Sequence, residues 1–157
     1  MIRKINICIM LALLSLLGMT ALAETVQTAP TLTPAQQAVV GTWDEQNGGG
    51  IIEMFIKDGV LYGKVVHTGS KLDNNGVCKQ CDGARKNQPY VGMIVMYGFK
   101  PEGTTEVWGG GTIIDLPNAA RTASGKIKIQ NNGTELNVRG YIGSPMLGET
   151  KIWKRVK

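Results

Sequence analysis

Asp58-Gly59 divides two runs of alternating apolar residues, 51–57 and 60–67. Asp-Gly between such runs is the strongest short-range signal for a β-hairpin with a two-residue loop. A loop of that length sets the register. Lys57 faces Val60, Ile56 faces Leu61, Met54 faces Gly63 and Ile52 faces Val65. That face is apolar and is expected to point inward. The other face pairs Phe55 with Tyr62 and Glu53 with Lys64, an aromatic pair and an ion pair suited to a half-solvated sheet. Turn length and alternation specify one register, and a slip by one residue would turn the apolar set to water.

The same grammar continues along the chain. Residues 92–99 form a mostly apolar run, and 106–116 form another, interrupted by Gly109-Gly110-Gly111 at an expected bulge or bend. In 123–129, Ala123, Gly125, Ile127 and Ile129 share one face, with Ser124, Lys126 and Lys128 on the other. Asn131-Asn132-Gly133 is a turn. In 135–142, Leu136, Val138, Gly140 and Ile142 are expected inward. Segment 149–156 is the last strand, and 41–44 brings the count to about eight. Short strands with frequent turns predict an all-β fold, here a single antiparallel up-and-down barrel. Ahead of it, Thr33-Pro34 reads as an N-cap with proline at the first helical position. A short helix is expected from there to about Val40, stopped by Gly41.

The N-terminus speaks to location. Arg3-Lys4 precedes an apolar stretch, residues 5–22, closed by Ala21-Leu22-Ala23. This is the three-part layout of a secretory signal. Residues 1–23 are expected to be cleaved, 24–33 to be a flexible lead-in and 34–157 to be the barrel domain. The protein is then exported, to the periplasm or the exterior, with no later apolar run long enough to span a membrane as a helix. Loss of Arg3 and Lys4 from 17 basic residues, against 12 acidic ones, leaves a net charge of +3. The basic residues are scattered, whereas nucleic-acid binding calls for a clustered basic face.

Taken in order, several landmarks form a pattern. They are Gly41-Thr42-Trp43, Leu61-Tyr62-Gly63-Lys64-Val65, Cys78-x-x-Cys81-x-Gly83, Val91-Gly92-Met93-Ile94, Val138-Arg139-Gly140-Tyr141-Ile142-Gly143 and Trp153-Lys154-Arg155-Val156. The set resembles the bacterial secreted proteins of the DUF2147 family, a domain of unknown function, over about Val40 to Lys157. The resemblance implies a calycin-like, lipocalin-related barrel, since Gly-x-Trp on the first strand is also a lipocalin landmark. It implies no activity. One departure lies at 115–124, where the family tends to show Asp-Pro, a glycine-containing turn and an aromatic. Here Leu116 separates Asp115 from Pro117, and Ala119-Ala120-Arg121 fills the turn.

No catalytic constellation stands out, and no cofactor is implied. Cys78 and Cys81 are an even pair once Cys8 is removed with the signal. A structural disulfide in an oxidising compartment is the favoured reading. A redox dithiol lacks the usual helix N-terminus and βαβ setting, and a zinc site lacks further ligands beyond His67. His67, the only histidine, is expected on the inward face at the barrel rim near the cysteine loop. Trp43 reads as a plug at one end, with Arg155 available to stack on it. Trp108, beside three glycines, either lines a cavity or packs.

After signal removal 20 of 134 residues are glycine, about twice the usual share of roughly 7%. Gly63, Gly125 and Gly140 fall on inward positions. An eight-stranded barrel is just wide enough to fill with side chains or to hold one small ligand. The inward glycines favour the second outcome. The expected function is non-enzymatic binding of a small apolar or amphipathic ligand. Ile52, Met54, Val65, Leu136 and Val138 would form the wall, Gly63 and Gly140 would leave space, and His67 would stand near the mouth. The rivals are an envelope thiol-redox or stress factor using the cysteine pair, and a structural or interaction module with a filled barrel.

Overall fold

A computed structural model describes residues 31–72, 76–116 and 121–156. The signal segment, and all but the last residues of the lead-in, lie outside the described residues. Helix α1, Pro34–Gln37, is followed by eight strands: β1 Gly41–Asp44, β2 Gly50–Lys57, β3 Val60–Thr68, β4 Ile94–Pro101, β5 Val107–Asp115, β6 Arg121–Gln130, β7 Glu135–Tyr141 and β8 Glu149–Arg155. Each strand pairs antiparallel with the next, and β8 returns to β1 through Trp43–Arg155 and Asp44–Lys154 to close the barrel. Closure removes the free edges that an open sheet would expose.

The Asp58-Gly59 hairpin has the expected register, Lys57 opposite Val60 through Ile52 opposite Val65. Both loop residues have positive φ, 52° and 74°, as a type I′ turn requires. Phe55 and Tyr62 stack with centroids 5.6 Å apart, and Lys64 pairs with Glu53 at 2.7 Å. The glycine run on β5 is a bulge: the register slips between Trp108 and Gly111, and Gly110 takes φ 71°. The alternation on β6 and β7 holds, with Gly125, Ile127, Ile129, Leu136 and Val138 buried.

Two inward assignments are corrected. Register slips between Ile51 and Ile52, so that Ile51 faces His67 while Ile52 faces Val65. Val66 is the extra residue, and a bulge of one residue reverses the alternation beyond it. His67 therefore points outward and is exposed. Ile142 lies past the end of β7, where the chain bends, and is 75% exposed.

The up-and-down order gathers α1 and the 58–59, 102–106 and 131–134 turns at one end. The 45–49 and 142–148 connections lie at the other, with the last residues of β3 and β5. The first end is sealed. Thr33 accepts from the Gln36 N–H while the Gln36 side chain accepts from the Thr33 N–H, a reciprocal box that fixes the helix start. Gln36 is buried and reaches on to the Gly103 carbonyl at 2.8 Å. Its own carbonyl accepts from the Trp108 indole at 3.2 Å, and the Val39 carbonyl accepts from the Trp43 indole at 2.9 Å. Arg155 lies 4.1 Å from the centre of the Trp43 ring and donates to the carbonyls of Gly133, Val40 and Ala38. The last two carbonyls follow the helix, where a cation is favoured.

Candidate functional site

The opposite end is not filled. A cavity of about 340 Å³ reaches from the barrel interior to that rim. Ile52 (β2), Val65 (β3), Met96 (β4), Ile113 (β5), Val138 (β7) and Trp153 (β8) form its wall. Leu72, after β3, and Leu116, directly after β5, also line it, and both are buried. Ile142 and Leu147 line it from the rim while remaining 75% and 84% exposed, so the cavity opens beside them.

Gly140 explains why there is space. A side chain built there would meet only Ala123 and Ile113, at 3.8 and 3.9 Å. Gly63 and Gly125 differ. The missing side chain of Gly63 is replaced by Met54, Met96 and Ile52, at 2.9 to 3.1 Å from where its Cβ would be. At Gly125 the Phe99 ring comes within 2.5 Å of that point, and at Gly111 within 2.2 Å. One aromatic from β4 thus fills the hollows left by two glycines.

The residues expected around a ligand therefore separate. Ile52, Val65, Val138 and Gly140 line the cavity. Met54 and Leu136 are fully buried but outside the lining, Gly63 is packed over, and Trp108 is tied to the helix at the sealed end. His67 stands outside the barrel.

The mouth carries groups that the sequence reading passed over. Glu45, Asp115, Glu149 and Lys151 all border the cavity. Removal from water pushes the Glu45 carboxyl from the usual 4.5 up to about 7. Lys151 and Lys71 oppose that rise, and Asp115 and Asp44 add to it. The signal for these residues was available. Trp43 and Trp153 are inward, so two-residue steps along the chain bring Glu45, Lys151 and Glu149 to the same side.

Cys78 and Cys81 form a disulfide, with both residues 1% exposed. Around it the Cys78 N–H donates to Gln88 and the Asn87 N–H to Cys78, both at 2.9 Å, closing a small hairpin in the long loop. Among the described residues no three His, Cys, Asp or Glu side chains converge as a metal cluster, and no helix is long and apolar enough to cross a membrane.

Residues 41–155 match the DUF2147 family, described as uncharacterized proteins conserved in bacteria. The chain belongs to this family. No curated protein matches the chain in sequence. Among solved structures, this DUF2147 barrel is similar to protein HP1028 of Helicobacter pylori, which is described as belonging to the lipocalin family. The TM-score is 0.63 at 16% identity, with 81% of this chain and 85% of that one covered. At that identity the likeness is one of fold, and the fold is lipocalin-like.

Proposed function

We propose that this DUF2147 protein is an exported, non-enzymatic binding protein that holds a small, largely apolar molecule in the open half of its barrel. The carrying observation is the cavity at Gly140, about 340 Å³ and walled by aliphatic side chains. That volume falls within the ~300–1,000 Å³ of small-molecule sites, which are mostly apolar with a few polar groups at fixed places. The exposed Ile142 and Leu147 at the rim give an apolar guest a path inward. The polar mouth suits an amphipathic molecule with its polar end outward. Burial of both cysteines supports a structural bridge in the loop above the cavity.

Titration with the neutral dye N-phenyl-1-naphthylamine tests the reading. The expected result is saturable fluorescence enhancement at one site per chain, reversed by competing apolar compounds. Enhancement that never saturates, or is absent, rejects it. For export, N-terminal sequencing of protein recovered outside the cytoplasm is expected to begin at Glu24.

A further inference from the structure

Two glutamates of this barrel fold back onto glycines. Glu102 lies where a Gly109 side chain would stand, and Lys126 pairs with its carboxylate at 2.8 Å. Glu45 lies likewise on Gly49, with Oε2 2.5 Å from the point that a Gly49 Cβ would take. Glu45 and Gly49 both border the cavity, so this carboxyl stands at its edge. Unlike Glu102, it has no ion pair or side-chain hydrogen bond among the described residues. Lys151 and Lys71 act on it from beyond ion-pair distance. The charges around it are sorted. The cavity lining carries Glu45, Asp115 and Glu149 against Lys151. Lys71 and Lys154 border only an adjoining outer cleft, and Lys154 is paired with Glu135.

We infer that the molecule held in the cavity is a cationic amphiphile, an ammonium group on a compact apolar body, and that the ammonium donates to the Glu45 carboxylate at the cavity edge. The inference rests on the ligand-binding reading above and specifies the class of ligand. A half-buried carboxylate without a partner is costly. An ammonium supplies both the opposite charge and a charge-assisted hydrogen bond. The upward push on the Glu45 carboxyl agrees with a group that has lost water and gained no close partner. An anionic head would meet three carboxylates on the lining, and a neutral head would leave the Glu45 charge unanswered. The apolar body then lies against Ile52, Val65 and Val138. The size also agrees: about 340 Å³ is roughly twice the ~150 Å³ cavity that takes benzene.

The test compares three probes with one naphthalene body: 1-naphthylmethylammonium, 1-naphthylmethanol and 1-naphthoate. Calorimetric titration is run at pH 8, where Glu45 is mostly ionised. In wild type the ammonium is expected to bind roughly tenfold more tightly than the alcohol, the worth of one charge-assisted hydrogen bond. The carboxylate is expected to bind most weakly, although the chain as a whole is positively charged. Glu45→Gln is expected to cut the advantage of the ammonium over the alcohol to about threefold or less. Equal affinities for ammonium and alcohol, tightest binding of the carboxylate, or an advantage that survives Glu45→Gln overturns the cation. If no probe binds saturably, the cavity reading itself fails. The wild-type ranking decides the class of ligand even if the variant folds poorly.

Discussion

Two neighbouring regions of this barrel use the same residue types to opposite effect. Beside the sealed end, glycines admit a large side chain: Phe99 lies against Gly111 and Gly125, while Trp43 is anchored to Val39 and Trp108 to Gln36 of α1. Directly across the β6–β7 pair from Gly125, Gly140 faces nothing closer than 3.8 Å, and Trp153 on the cavity wall has an unmet N–H. A glycine on an inward position is thus a vacancy only when no neighbour grows into it. The sealed half is the part of the barrel expected to set stability, and the open half is the part free to bind.

Phe99→Ala is the strongest way to break this contrast. The ring is fully buried and occupies two hollows at once. Its loss is expected to cost about 3–5 kcal/mol in urea unfolding, and to leave a void against Gly111 and Gly125. A cost under about 1 kcal/mol would show that the sealed half is not the tighter one.

A matched pair of glycine substitutions sharpens the comparison. Gly63→Leu must displace Met54, Met96 or Ile52 and is expected to lose roughly 1–3 kcal/mol by overpacking. Gly140→Leu enters open space. It is expected to melt within a few degrees of wild type while losing N-phenyl-1-naphthylamine binding. Equal melting losses for the two would mean that the cavity is not available to a side chain.

The disulfide lies in the same β3–β4 connection as Leu72, which lines the open end. Its short separation of three residues closes only a small loop, worth on the order of 2 kcal/mol in the chain-entropy account. Paired Cys78→Ala and Cys81→Ala changes are expected to cost about that or less. Faster amide exchange should be confined to residues 76–93. Exchange spreading to β1 and β8 would tie the bridge to the whole barrel.

Much of the fold was legible because independent signals coincided. The Asp-Gly turn and the alternation of 51–57 and 60–65 specify one register. His67 escaped because a bulge at Val66 adds one residue without disturbing composition or turn signals. The filled glycines escaped for a different reason. Phe99 lies in a run read only as apolar, and its partners Gly111 and Gly125 are on other strands. The same distance hid the role of Trp108, whose acceptor Gln36 is 72 residues away. The mouth was legible in principle, since inward parity carried past Trp43 and Trp153 reaches Glu45 and Lys151.

The smallest expected effect concerns Glu45. Its carboxyl titrates near 4.5 in the unfolded chain and at about 7 in the folded one, raised chiefly by burial at the cavity mouth. Between those values the folded state holds more protons, so stability falls as pH rises through this window and levels off above it. Solvent contact at the mouth reduces the effect to about 1 kcal/mol. Urea unfolding at pH 5 and pH 8 should show wild type losing that much more than Glu45→Gln. Ligand seated beneath the mouth should remove further water from Glu45 and raise its pKa again. Binding of the neutral dye is then expected to take up protons near pH 7 and to weaken above it, and Glu45→Gln should abolish that dependence. Identical pH slopes in the two proteins would place Glu45 in bulk water.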